Sequence, residues 1–298
     1  MRKGKTRIEL PAEIANLCAE KGGLTDATSK RARIGRLPIA VGAMNAIADT
    51  LPDTYHWRYK TAEAFMEEAN ALAQKRGGAR DLNRLYWRDT LATIEAYTVM
   101  AAWRMVDIGG AAFTLLGGEH YIPAGILARS ALESAIQFVH DARTISHTLD
   151  ELGKLDLTTT GVQSEALEAF LLQSVYASRQ SGADEIYKSK NILTVIEKIA
   201  KVAKDDPIAA EYEILCELTH PNFLGRSNYL VGVEAGARPG DETRLISHQN
   251  GLNSDQVLQS TLWSLSWAIE GQATSIHLVQ RSIRDLFVTF PFLATKGP

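Results

Sequence analysis

The sequence predicts an all-α fold, a helical bundle with a long C-terminal helix, and three observations lead to this class. Apolar residues recur at helical spacing along most of the 298 residues, whereas β-favouring runs stand out only near 229–248. Helix stop and start signals, chiefly Gly-Gly pairs and prolines, separate segments of helical length. The last segment carries a long helical stripe of apolar residues. With 45% hydrophobic residues, the chain can bury a substantial core.

The first 78 residues are predicted to form short helices joined by loops. Pro11 suits the first turn of the first helix, and Gly-Gly pairs follow the first and the third. The loop over 22–37 is basic. We therefore expect residues 1–78 to form an N-terminal helical section with a basic arm. Its three helices are predicted over 11–21, 38–49 and 61–76.

Residues 79–298 are predicted to form the core bundle, with one continuous domain over the whole chain as the alternative. The first core helix, ended by Gly117, is apolar on almost every side, which is typical of a central helix. The Gly109-Gly110 pair is a candidate kink. Pro123 opens the next helix, which runs to about residue 147. Three shorter helices follow, over 163–179, 190–203 and 207–220.

The segment near 229–248 contains the strongest strand signal in the chain. Two short β-favouring runs flank Pro239-Gly240, a dipeptide that is typical of turns. We predict a small β-hairpin here, with an irregular loop as the alternative.

The C-terminal helix begins after a capping signal at Asn253-Ser254-Asp255. Gln272 occupies the one polar place on its apolar stripe. A strict 3.5-residue repeat favours lengthwise packing, either in the core or, in the alternative reading, as the seam of a homodimer. The stripe consists of Leu258, Leu262, Leu265, Ile269, Ile276, Val279, Ile283, Leu286 and Phe290.

Charge, cysteine content and hydropathy predict a cytoplasmic protein without a membrane span. The net charge is −3, but residues 1–36 contain nine basic and four acidic residues, a local charge of +5 that leaves −8 for the rest. Such an arm could contact RNA, remain solvated or pack on its own acidic body. The two cysteines lie far apart in sequence, and no signal-peptide apolar run follows the basic start. Arg104 and Asp107 interrupt the most apolar stretch.

Ionisable residues on the 123–147 helix line one stripe at the border of its apolar face. With Arg129 at 0° on a helical wheel, Glu133 falls near 40° and His140 near 20°, by the helical advance of about 100° per residue. Arg129 and Glu133 are i,i+4 neighbours and could pair directly. Charges beside apolar sequence are costly unless they are paired or used, so this stripe is a candidate site.

A second group of polar residues lies at the end of the 207–220 helix: Glu217, His220, Asn222 and Arg226. A histidine with an arginine beside it can move protons and stabilise a phosphate-centred transition state, which suffices for metal-independent RNA cleavage. In this reading His220 is the acid or base, and Arg129 or Arg226 is its partner. In the structural reading, His220 only complements the helix dipole and Arg129–Glu133 is a packed ion pair.

The segments Arg129-Ser130-x-x-Glu133 and Glu217-Leu-x-His220-Pro221 resemble those of a widespread group of uncharacterised bacterial all-helical proteins. That group is distantly similar to the HEPN superfamily (higher eukaryotes and prokaryotes nucleotide-binding domain), whose members include ribonuclease toxins and antiphage effectors that act as dimers. The resemblance implies RNA or nucleotide binding, a ribonuclease activity in phage defence, and catalytic roles for Arg129, Glu133 and His220. His140, Glu217, Asn222 and Arg226 would bind the substrate. One departure is the absence of an Arg before His220 on the same helix with four to six residues between them, at positions 213–215.

Two other classes remain open. A non-catalytic interaction module would dimerise through the C-terminal stripe. A metal-binding bundle would use the Glu217-x-x-His220 spacing, although a second such motif is absent from the sequence. No Walker, dinucleotide-binding or zinc motif occurs, so we expect neither a cofactor nor a metal.

Overall fold

The computed structural model describes residues 7–21, 30–57, 60–75, 77–178, 180, 182, 184–188, 190–202, 207–220, 222–238, 240–247, 251 and 254–294. Its helices are α1 (Ala12–Lys21), α2 (Lys30–Gly35), α3 (Leu37–Thr50), α4 (Ala62–Gln74), α5 (Ala79–Gly117), α6 (Tyr121–Leu152), α7 (Glu165–Tyr176), α8 (Ile192–Val202), α9 (Ile208–Thr219), α10 (Phe223–Ser227), α11 (Ser254–Thr289) and α12 (Pro291–Ala294). A 3₁₀ turn covers Glu185–Tyr187, and the strands are β1 (Leu230–Ala235) and β2 (Glu242–Ile246). These elements confirm the all-α class with a long C-terminal helix.

Two short helices differ from the sequence prediction. Helix α2 occupies part of the segment predicted as a basic loop, and α10 lies between the predicted helix over 207–220 and the predicted hairpin, where no helix was predicted. The ion pair of the α2 side chain Arg33 with Glu270, together with that of Arg36 directly after the helix, stabilises a helix that is too short to form by propensity alone. At α10, Asn222 is extended and the helix restarts behind it. Residues 22–29 and Pro221 lie outside the described residues.

The chain divides into two compact units, and neither is one continuous stretch of sequence. The first contains 1–51, 102–138 and 192–273, and the second contains 52–101, 139–191 and 274–298. Helices α5, α6 and α11 contribute residues to both units. The boundary predicted after residue 78 does not coincide with any boundary between these two units, and it stays a prediction.

In the first unit, the segment before α1 packs closely on α5 at two glycines. A Cβ atom on Gly109 would lie 3.1 Å from Cδ1 of Ile8, and one on Gly117 would lie 3.2 Å from Cγ of Pro11. Ile8 is buried, and its backbone N–H and C=O both bond to the Asn45 side chain at 2.9 Å. Because Gly109 and Gly117 have no side chain, they allow the segment before α1 to approach α5 closely.

In the second unit, two buried side chains of α5 hold the polar connection between α6 and α7. Asn83 donates from Nδ2 to the carbonyls of Leu157 and Thr160, at 2.8 and 2.7 Å, and accepts from the backbone N–H of Val162 at 2.8 Å. Trp87 donates from Nε1 to the Val162 carbonyl at 3.0 Å. These bonds satisfy backbone groups that no helix pairs, and they order the connection.

The hairpin predicted near 229–248 is confirmed. Strands β1 and β2 are antiparallel, with Leu230 opposite Ile246 and Ala235 opposite Glu242. Gly240 in the turn has φ +91°, which favours glycine. An irregularity in the pairing falls between Leu230 and Gly232.

The stripe of α11 is core. Its residues from Leu262 to Phe290 are buried and Leu258 is half-buried, while Gln272 is only 1% exposed. A homodimer seam would require these side chains to be free at the surface. Because the stripe is buried within the protein, it is not available as a dimer contact. A homodimer through another surface stays a prediction.

Helix α5 alone, among the described helices, is long and apolar enough to cross a membrane by length and composition. Within its most apolar window 44% of the residues are buried inside the protein. A central helix of a helical bundle has the same properties, so the expected absence of a membrane span stays a prediction.

Candidate functional site

The residues Arg129 and Glu133 of α6 meet a tyrosine of α9 that the sequence analysis did not single out. Arg129 Nε donates to Glu133 Oε1 at 3.1 Å, and Arg129 Nη2 donates to the hydroxyl of Tyr212 at 3.3 Å. The same hydroxyl donates to Glu133 Oε1 at 2.8 Å. The guanidinium also lies over the Tyr212 ring, 5.4 Å from its centroid. The three side chains form a closed network that joins α6 to α9.

The electrostatics of this network favour a charged arginine and a neutral tyrosine. Burial lowers the pKa of Arg129, but the hydrogen bond to Tyr212 and the Glu133 carboxylate outweigh it and raise the pKa above its usual value. Burial raises the pKa of Tyr212 to about 12; the bond from Arg129 opposes this shift and Glu133 adds to it. Arg129 and Glu133 are 20% and 28% exposed. The network therefore joins α6 to α9 through a charged arginine and a neutral tyrosine.

Helices α6 and α9 run antiparallel at this contact. A Cβ on Gly125 would lie 2.9 Å from Cδ1 of Leu218, whereas Arg129, one turn later on α6, contacts Tyr212, which precedes Leu218 on α9. The end of α9 thus lies toward the start of α6. Eight residues separate Tyr212 from His220, about 12 Å of helix axis at about 1.5 Å per residue.

His220 caps the C-terminal end of α9 with an extended backbone (φ −85°, ψ 154°), and its N–H donates to the Cys216 carbonyl at 3.0 Å. Its side chain is exposed. Among the described residues, no hydrogen bond or ion pair joins His220 to Arg129 or Glu133. The structure therefore brings together Arg129 and Glu133, two of the three residues predicted to be catalytic, on α6, and places the third, His220, at the C-terminal end of α9.

The other residues of the second group surround His220. Asn222 donates from Nδ2 to Oε1 of Glu217 at 2.9 Å, and its backbone N–H donates to the His220 carbonyl at 2.7 Å. A Cβ on Gly225 would lie 3.5 Å from the carbonyl oxygens of both Glu217 and His220. Helix α10 is therefore seated on the end of α9, and Arg226, next to that glycine, is exposed there.

Phe223, the first residue of α10, is 75% exposed. Together His220, Phe223 and Arg226 present an imidazole, an aromatic ring and a guanidinium to solvent within seven residues; we name these three the α9–α10 surface. Sequence reasoning missed Phe223 because one aromatic residue after a helix end has no periodic context. It missed Tyr212 because aromatics at helical positions are usually core.

His140 lies in the second unit, beside a buried carboxylate. Its Nδ1 is 3.3 Å from Oδ1 of Asp141, which is fully buried, and Tyr97 donates to the other carboxylate oxygen at 2.8 Å. Lys190 Nζ lies 3.8 Å from Oδ1. This arrangement holds a buried charge and orients the His140 ring.

The described part of the basic N-terminal arm is largely paired with acidic residues of its own unit. Arg7 bonds to Asp49 at 2.9 and 2.6 Å, and Lys30 lies 2.6 Å from Glu211. Glu270 of α11 accepts from both Arg33 and Arg36. These four cations thus pack on acidic residues of the body, in line with one of the three alternatives that the sequence left open, and they do not supply a free basic surface.

Within the described ranges, no three His, Cys, Asp or Glu side chains gather where they could hold a metal ion. Glu217 and His220 keep the spacing of a metal-binding pair, but further ligands do not join them in this part of the chain. The metal-binding alternative therefore gains no support from the geometry.

Comparison of the chain with protein-family models, with curated proteins and with solved structures gives no match in any of the three. The resemblance to HEPN proteins accordingly stays a prediction that depends on the two sequence segments alone.

Proposed function

We propose that this protein binds RNA at the α9–α10 surface and cleaves it without a metal ion, as a HEPN-like ribonuclease. The proposal rests on the exposure of His220 at the end of α9 and of Phe223 and Arg226 on the short helix α10, which is seated on that end. Proton transfer, base stacking and phosphate binding are the three tasks that such a reaction requires.

The reaction is an internal transfer at phosphorus. The 2′-oxygen of the RNA attacks the adjacent phosphorus and loses its proton to a base, while the P–O5′ bond breaks and the leaving 5′-oxygen takes a proton from an acid. The products are a 2′,3′-cyclic phosphate and a 5′-hydroxyl, so water is not consumed. His220 and Glu217, one helical turn apart, are the two proton-transfer groups. Arg226 stabilises the added negative charge on the phosphoryl oxygens.

The aromatic residue supplies binding that does not depend on sequence. A base that stacks on an exposed aromatic ring gains about 1–3 kcal/mol, measured by alanine substitution. Phe223 is 75% exposed and can offer its ring to such a base. Asn222 contributes indirectly, since its amide holds Oε1 of Glu217 at 2.9 Å.

In this proposal Arg129 and Glu133 are positioning residues. They contact Tyr212 and not His220, so they act by fixing α9 and, through it, the seat of α10. Arg226 is therefore preferred to Arg129 as the electrostatic partner of His220.

The test is cleavage of a single-stranded RNA by purified protein with and without EDTA. We expect cleavage in EDTA with 2′,3′-cyclic phosphate ends, and a loss of about 10²-fold or more in His220→Ala and in Arg226→Ala. His277→Ala and Arg281→Ala, at exposed positions of α11, are the matched controls and should leave cleavage unchanged. Absence of cleavage by folded protein, or equal activity of the His220 and His277 variants, would reject the proposed reaction.

A non-catalytic interaction module is the second candidate, and the hairpin favours it. Val233, Leu245 and Ile246 are 49%, 39% and 78% exposed on a two-stranded sheet, an arrangement open to strand pairing with a second chain. Light scattering decides between self-association and a monomer. If the wild type is a dimer and Ile246→Asp is a monomer while Val288→Asp on α11 is not, the hairpin is the contact.

A further inference from the structure

The second unit contains a cleft of about 370 Å³ that the proposed function does not use. Its walls come from the segment before α4, from α4 itself, from the first half of α5, and from α7 together with Gln163 shortly before it. The volume lies in the range of sites that enclose small molecules. Four aromatic residues line it: Trp57, Phe65, Tyr86 and Tyr176.

The aromatic rings are arranged in two pairs. Trp57 and Tyr176 are stacked, with centroids 6.2 Å apart and planes inclined by 27°. Phe65 and Tyr86 meet edge to face, with centroids 6.2 Å apart and an angle of 77°. Tyr86 is fixed because its hydroxyl accepts the backbone N–H of Ser164 at 2.9 Å. These contacts hold the four rings in defined positions along the cleft.

The charged groups of the cleft are unbalanced toward the negative. Asp89 and Glu168 line it with a single ammonium, that of Lys60. Lys60 is only 10% exposed and is already held by two carboxylates, at 2.7 Å from Oε2 of Glu68 and 3.0 Å from Oδ2 of Asp89. Its charge is thus neutralised within the protein. Glu168 is exposed at the cleft, next to the hydroxyl of Tyr86.

We propose that this cleft binds an organic cation, a quaternary or alkyl-substituted ammonium, between the aromatic rings and the carboxylate of Glu168. Aromatic faces attract cations through the ring quadrupole, and more strongly when water is excluded. The carboxylate adds a Coulombic attraction that a neutral or anionic ligand would not gain. A purely apolar ligand would leave the charge of Glu168 unused, and an anion would be repelled by it.

The test uses choline and tetramethylammonium as probes and 3,3-dimethylbutan-1-ol, the uncharged isostere of choline, as the comparison. Binding is measured by calorimetry on the full chain. We expect saturable binding of both ammonium probes and binding of the alcohol that is weaker by about tenfold or more, since the cation–π and Coulombic contributions are absent from it.

Matched variants assign the binding to this cleft. Tyr176→Leu and Glu168→Gln should each weaken choline binding by about fivefold or more, by loss of a ring face and of the nearby charge. Tyr176→Phe retains the ring, and Glu165→Gln removes a charge from the same helix outside the cleft lining, so both should bind choline as the wild type does. Circular dichroism confirms that all four are folded.

Three results would overturn the assignment. Equal affinity for choline and its uncharged isostere would make the cleft an apolar site. Tighter binding of AMP than of choline would make it a site for a flat anion. Failure of both ammonium probes to bind a folded wild-type protein would remove the site altogether.

Discussion

Replacing Tyr212 by phenylalanine should destabilise the protein, because it removes one oxygen atom from the network that joins α6 to α9. The hydroxyl donates to Glu133 Oε1 at 2.8 Å and accepts from Arg129 Nη2 at 3.3 Å. A hydrogen bond to a charged group contributes about 1.5–3 kcal/mol. Water reaches the partly exposed carboxylate and replaces part of that bond, so we expect a loss of about 1–2 kcal/mol. The ring, its burial and the contact with the guanidinium at 5.4 Å remain.

Urea unfolding at neutral pH measures this loss, and Tyr121→Phe is the control. The hydroxyl of Tyr121, in the first turn of α6, makes no hydrogen bond to the described residues, so its removal should leave the free energy of unfolding unchanged. A double-mutant cycle with Glu133→Gln isolates the bond itself and should give a coupling of about 1 kcal/mol. A loss in Tyr212→Phe no larger than in Tyr121→Phe would refute the reasoning.

Three further predictions concern pH, ion pairing and packing. The pKa of Tyr212 is raised from 10.0 to about 12 in the folded protein. The contribution of its neutral hydroxyl to stability is therefore complete below about pH 10 and is lost as the pH rises toward 12. Urea midpoints measured at about pH 9 and about pH 11 should accordingly differ less in Tyr212→Phe than in the wild type. Lys30→Met leaves the buried Glu211 carboxylate without its cation and should cost about 3 kcal/mol, whereas the double change with Glu211→Gln should cost less, which thermal unfolding can show. Gly125→Ala forces a methyl group within 2.9 Å of a leucine of α9 and should cost about 1–3 kcal/mol in urea, while Gly161→Ala, with open space around it, should not.

The helices that the sequence predicted are those whose signals are local. The side chain of Ser164 caps the start of α7, and strand β1 begins where β-favouring residues begin in the sequence. Helix α2 was missed because it is stabilised by contacts with α11, more than 230 residues away. A window of sequence contains no information on such a contact. The short α10 depends in the same way on its seat against α9.

The candidate site was predicted in part. The i,i+4 spacing of Arg129 and Glu133 predicted their ion pair, since helical geometry alone brings these positions together. Their meeting with Tyr212 depends on the pairing of two helices about 80 residues apart, which no spacing specifies. Whether Arg129, Glu133 and His220 act in catalysis stays a prediction. The exposed position of His220 follows from the end of α9, a local signal, whereas the exposure of Phe223 depends on how α10 is seated.

The sequence by itself determined the class of fold, the long apolar stripe, the hairpin and the pairing of neighbours on one helix. These features follow from periodicities and turn residues that act over a few positions of chain. Only the tertiary structure decided that four cations of the basic arm are paired within their own unit, that the C-terminal stripe is core and that four aromatic residues line a cleft. Each of these depends on which distant surfaces meet, because burial and electrostatic pairing are properties of packed neighbours in space and not of neighbours in sequence.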